Sequence, residues 1–84
     1  MTTKQEISQW FDRGVTEGYS HMIVVCDTYD HEDYPVYARG DADCLNKHAH
    51  YDGLNMQRVM EVYDIRQTKE PQMQGRTMRL PVPV

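Results

Sequence analysis

The chain has 84 residues, with 13 Asp and Glu against 9 Lys and Arg and a formal net charge of −4. That length allows one domain, and the acidic balance argues against direct nucleic-acid binding as the principal task. Val, Ile, Leu and Phe number only 15, below the roughly 20% line at which disorder is suspected. The modest charge, six Met and six Tyr point instead to a folded chain with a thin core.

The N-terminus lacks the basic segment and apolar run of a signal peptide. The longest strongly apolar run, Met22 to Cys26, is far short of a membrane span. The expectation is a cytoplasmic protein without a membrane partner, its Cys26 and Cys44 kept as thiols.

Met1 to Glu17 reads as a helix. Thr3 and Glu6 fit a capping box, Ile7, Trp10, Phe11 and Val15 share one face, Gly14 weakens the last turn, and Gly18 sits where a left-handed cap belongs. His21 to Thr28 reads as a strand that is apolar on both faces and therefore central. Tyr29 to Asp33 is a polar connection. Tyr34 to Arg39 returns antiparallel, with Pro35 placing that strand at an edge. Asp41 caps a short helix over Ala42 to Tyr51, and Asp52-Gly53 marks a turn. Asn55 to Ile65 is ambiguous: Met56, Val59, Met60 and Tyr63 fit a helical face, whereas Arg58 to Tyr63 has strand chemistry. The strand reading is favoured because an isolated hairpin is marginal. Thr68 to Gly75 reads as a last short helix. The expected fold is α+β, a small antiparallel sheet of about three strands in the order α-β-β-α-β-α. Residues 1–76 form the domain and residues 77–84 an extended or disordered tail.

No motif for nucleophilic, phosphate-cradling or metalloprotease chemistry is present. Asp27, Asp30, His31, Glu32 and Asp33 are dense enough to suggest a cation, but they lack the glycine and spacing of a calcium loop. Cys44, His48 and His50 are weak transition-metal candidates: two share a helical face and a third ligand must come from elsewhere, such as His21 or Cys26. Cys26 with His21 or His31 would make a nucleophile pair only if the thiol left its apolar strand. The Tyr residues carry more promise, since a rigid amphipathic ring suits an interface and also stacks on bases. The candidate ligand or partner residues are Tyr29, Tyr34, Tyr37, Arg39, Arg58 and Tyr63.

The segment from His21 to Tyr37, HMIVVCDTYDHEDYPVY, and the block from Met56 to Tyr63, MQRVMEVY, resemble segments shared by a family of short uncharacterised phage and bacterial proteins. With the Trp10-Phe11 helix the resemblance covers Thr3 to Tyr63. It implies a phage or mobile-element setting in a bacterial host cell and transfers no catalytic residue. The expectation is a small non-catalytic protein that binds a host protein and inhibits a host enzyme or defence complex. One alternative is a binder of a nucleotide or small-molecule signal at a homo-oligomer interface, with Tyr stacking and Arg39 or Arg58 on phosphate. Another is a metal-dependent enzyme using His48, His50 and a carboxylate. No cofactor is expected. A homodimer burying one sheet face is expected, because the chain holds too little aliphatic volume to cover both.

Overall fold

A computed structural model describes residues 2–53, 56–75 and 77–81. Its elements are α1 (Lys4–Glu17), β1 (His21–Asp27), β2 (Glu32–Ala38), α2 (Asp41–Tyr51), β3 (Gln57–Asp64) and α3 (Lys69–Met73), the expected α+β order. The sheet runs β2-β1-β3, with both pairings antiparallel. The expected helix start at Met1, strand start at Asn55 and tail residues Val82 to Val84 lie outside the described residues.

The α1 capping box forms: Glu6 N donates to Thr3 Oγ1 at 3.1 Å, Thr3 N donates to Glu6 Oε1 at 3.4 Å, and Gly18 closes the helix at φ 78°. The buried stripe is Ile7, Phe11 and Gly14, whereas Val15 is 54% exposed. The expectation for Val15 is corrected because the helix approaches the sheet through Gly14. A Cβ there would collide with Ile65 Cδ1 and stand 3.0 Å from Tyr37 Cε1.

β1 is central and enclosed on both faces. Met22 and Val24 join Ile7, Phe11, Tyr63 and Ile65 beneath α1, with Met73 of α3 alongside. Ile23 and Val25 join Ala38, Cys44, Val59 and Val62 beneath α2, with Leu80 alongside. Ile23 and Val25 have no exposed surface. The uncovered face on which the homodimer expectation rests is therefore absent. The missing aliphatic volume is supplied by Met22, Tyr63, His21, Gln72 and Cys44, all essentially buried.

The ambiguity over residues 55–65 has a structural cause. Val24 pairs with Glu61 but Val25 pairs with Val59, so Met60 is an extra residue in β3. This bulge puts Val59 and Val62, three apart, on one face, a spacing that imitates a helix.

Both outer edges of the sheet are partly covered within the chain. On β2, Pro35 offers no N–H and Lys47 Nζ of α2 donates to Tyr37 O at 2.7 Å. On β3, Gln72 brackets Asp64, accepting from its N at 2.8 Å and donating to its O at 2.9 Å. Val62 N donates to Thr77 O at 3.0 Å and Arg79 N to Val62 O at 2.9 Å, a parallel bridge. Thr77 to Leu80 is thus a docked strap, extended as expected but held to the domain.

Several boundaries differ from expectation, and β1, β2 and β3 each end one residue early, at Asp27, Ala38 and Asp64. β2 begins at Glu32, because the hairpin loop is shortened by a His31 N to Asp27 O bond of 2.7 Å. Gly40, at φ 97°, rather than Asp41 caps α2, and Asp43 Oδ2 accepts from Arg39 N at 2.9 Å. α3 is limited to Lys69–Met73. Among the described residues no helix is long and apolar enough to cross a membrane.

Candidate functional site

The densest buried polar cluster joins the start of β1 to the end of β3. Ser20 Oγ lies 2.7 Å from His21 Nδ1, accepts from Gly40 N at 2.7 Å and donates to Ala38 O at 3.1 Å. With its own proton on Ala38 O, Ser20 takes the His21 Nδ1 proton, which assigns the neutral Nδ1–H tautomer. His21 Nε2 then faces Arg66 Nη2 at 3.4 Å, with Asp64 Oδ2 at 3.9 Å. Burial lowers the His21 pKa, and the charge of Arg66 adds to this against the opposing pull of Asp64. Burial pushes Asp64 up, but its hydrogen bonds from Arg66 outweigh this and hold it below the usual range. Arg66 also reaches Asp41 Oδ1 at 3.0 Å. Ser20, His21 and Asp64 have the residue types of a nucleophilic triad but not its geometry: the hydroxyl is buried and saturated, and the ring nitrogen facing it is a donor. The cluster fastens β1, β3 and the start of α2 together.

The thiols are equally unsuited to nucleophilic attack. Burial raises Cys44 to about 11, and burial followed by the Asp33 carboxyl raises Cys26. The metal candidates do not converge. Cys44 is sealed under the sheet, His50 is exposed with its ring edge-on to Tyr51 at 4.9 Å, and His48 is half-buried. Among the described residues no group of three His, Cys, Asp or Glu is placed to hold a metal.

The six candidate binding residues separate into three places. Tyr63 is 2% exposed, its hydroxyl donating to Glu61 Oε2 at 2.8 Å; it is a core residue, and its assignment to a binding surface is corrected. Tyr37 and Arg39 lie at the end of β2 nearest α1's C-terminus. Tyr37 OH donates to Trp10 O at 2.7 Å, the Tyr37 and Tyr19 rings stack at 4.9 Å and 18°, and the Arg39 guanidinium sits 4.3 Å over Tyr19. Tyr29, Tyr34 and Arg58 lie at the opposite end of the sheet. Tyr34 is half-buried on the α2 face and accepts from Gln57 Nε2. Arg58 is exposed on the other face, in a row with Cys26 and Asp33 across the three strands.

At the β1–β2 hairpin tip, Tyr29 is 78% exposed. Thr28 donates both its N–H and its hydroxyl to Met56 O, each at 2.8 Å, which pins the tip to the start of β3. Met56 is itself 58% exposed. The backbone segments that carry these two exposed side chains are thus tied together at one end of the sheet. His31 and Met56 are the two non-glycine residues at positive φ among the described residues, each at 61°. Asp27 Oδ1 accepts from Tyr29 N at 2.8 Å and Asp30 Oδ1 from Glu32 N at 3.2 Å, so two of the clustered carboxylates shape the turn rather than a cation site. Beside the tip, Glu6, Glu32, Asp33 and His31 line an acidic cleft of about 320 Å³. Sequence reasoning missed Met56 as a surface residue, since it groups with Val59, Met60 and Tyr63 on one apolar helical face.

No protein-family model, curated protein or solved structure matches the chain.

Proposed function

We propose that this chain is a small non-catalytic binding protein that docks on a host protein through the hairpin end of its sheet, of the kind a phage or mobile element uses to inhibit a host enzyme or defence complex. The observation that carries this reading is the exposure of Tyr29 and Met56 on two segments that Thr28 ties together through the Met56 carbonyl. Rigid aromatic and Met side chains on a fixed turn give contact area at small entropic cost. The surrounding Asp30, Glu32 and Asp33 select a basic partner surface. The catalytic reading loses its groups to structural roles, because Ser20, His21, Cys44 and Asp64 are buried.

The test places a photo-cross-linking residue at position 29 and, as a control, at the exposed position 16 on α1. A single host protein captured from position 29 alone, and lost when Met56 is changed to Ser, is the expected result. Equal capture from both positions, or none from either, sinks the reading.

A further inference from the structure

The other end of the sheet carries a feature that the protein-docking role leaves unused. Tyr37, Tyr19 and Arg39 form a ladder, anchored by the Tyr37 hydroxyl on the Trp10 carbonyl at 2.7 Å, stacked at 4.9 Å, and capped by a guanidinium 4.3 Å from the Tyr19 centroid. Each rung has a local cause. Gly14 admits the Tyr37 ring against α1. Gly18, in its left-handed cap, delivers Tyr19. The bond from Arg39 N to Asp43 Oδ2, at 2.9 Å, fixes the backbone beneath the guanidinium.

The top rung is exposed and its charge is not neutralised. The Arg39 side chain has no ion pair among the described residues. Asp43, the carboxylate bonded to its backbone, is engaged by the Arg39 amide and by Lys47 Nζ at 3.2 Å. Burial raises the Tyr37 pKa, and the charges of Arg13 and Glu17 act on it in opposite directions, so both groups are within electrostatic reach of the ladder. A guanidinium resting on an aromatic ring keeps its planar fork of N–H donors in a restricted orientation, which suits an oxyanion, while its outer surface accepts an aromatic ring.

We infer that the Tyr19–Arg39 ladder is a binding site for a small planar aromatic ligand bearing an oxyanion, a nucleoside monophosphate being the simplest member of the class. The ring stacks on the guanidinium and the phosphate takes its N–H donors. A long nucleic acid is disfavoured, since a chain of charge −4 repels an extended polyanion that a few local cations hold weakly.

The experiment follows backbone amide shifts of the full chain during titration with adenosine 5′-monophosphate, adenosine alone and inorganic phosphate alone. The nucleotide is expected to shift residues 19, 37 and 39 saturably, and each half alone to bind at least about tenfold more weakly. Arg39→Gln is expected to weaken the nucleotide by about tenfold through loss of its charge-assisted hydrogen bonds. Tyr19→Phe retains the ring and the affinity, Tyr19→Leu loses it, and Glu17→Gln tightens binding. Arg39 is exposed, so Arg39→Gln keeps the wild-type amide spectrum away from the ladder. Phosphate binding as tightly as the nucleotide, nucleotide affinity unchanged in Arg39→Gln, or no shift at residues 19, 37 and 39 overturns the inference.

Discussion

Gly14 and Ile65 touch so closely that the hydrogen of Gly14 occupies the only space between the α1 backbone and Ile65 Cδ1. Alanine is the better helix former by about 1 kcal/mol in a helix interior. At position 14 that gain is outweighed by overpacking, which costs about 1–3 kcal/mol. Gly14→Ala is expected to lower the urea midpoint while the neighbouring exposed Val15→Ala stays within about 0.5 kcal/mol of wild type. A Gly14→Ala protein more stable than wild type would show that α1 is free to move away from the sheet.

Gln72 acts as a one-residue strand against Asp64. Replacement by Met keeps the volume and removes both hydrogen bonds, leaving a buried N–H and C=O at a cost of about 1–3 kcal/mol. The Asp64 amide is expected to lose protection in hydrogen exchange beyond the global change. Unaltered protection at Asp64 would mean that the side chain is not its partner.

Acid weakens this fold through His21. In the unfolded chain the ring titrates near 6.5, and in the folded chain burial lowers that value. Between the two the unfolded state holds the extra proton, so stability rises with pH. The contribution is complete above 6.5 and is lost as pH falls through the folded value. Urea midpoints measured from neutral pH down to about pH 5 are expected to decline. Arg66→Gln removes a cation facing Nε2 at 3.4 Å and is expected to move the His21 ring titration, followed by NMR, to higher pH. A shift to lower pH contradicts the assigned arrangement.

Met60 is the spare residue of β3. Deleting it joins the Val25–Val59 and Val24–Glu61 pairings into one regular ladder with each remaining side chain on its present face. That deletion is expected to give a folded protein with a dispersed amide spectrum. Deletion of Val36 from the unbulged β2 turns half of that strand over and is expected to abolish folding. Collapse of the spectrum on deleting Met60 would assign the bulge an indispensable role.

Elements whose rules are local were legible in the sequence. Thr3, Glu6 and Gly18 mark the ends of α1 by capping chemistry alone, and the doubly apolar run from Met22 to Cys26 marks a central strand. Where tertiary contact decides, sequence patterns misled. Gly14 reads as a weak point in a helix but is the contact that lets α1 settle. Met56, Val59, Met60 and Tyr63 read as a helical face because Met60, the one inserted residue, breaks the strand period of two. Ser20, His21, Asp41, Asp64 and Arg66 meet only through the sheet, so their spacing carries no signature. The scarcity of aliphatic residues suggested a missing partner, yet His21 and Gln72 fill core volume once their polar atoms are bonded. Of the binding candidates, Tyr37 and Arg39 do come together, through Tyr19, which composition alone did not single out.

The ammonium of Lys47 on the Tyr37 carbonyl, next to a proline, makes the β2 margin a poor template for cross-β growth, although the strand carries Tyr, Val and Tyr side chains of the sort that fibrils favour. Half of that safeguard, the half beyond Pro35, hangs on a single positive charge. Acetylation of Lys47 would strip it, leave proline as the sole brake on intermolecular stacking along that border, and tie the solubility of this chain to the chemistry of one amine.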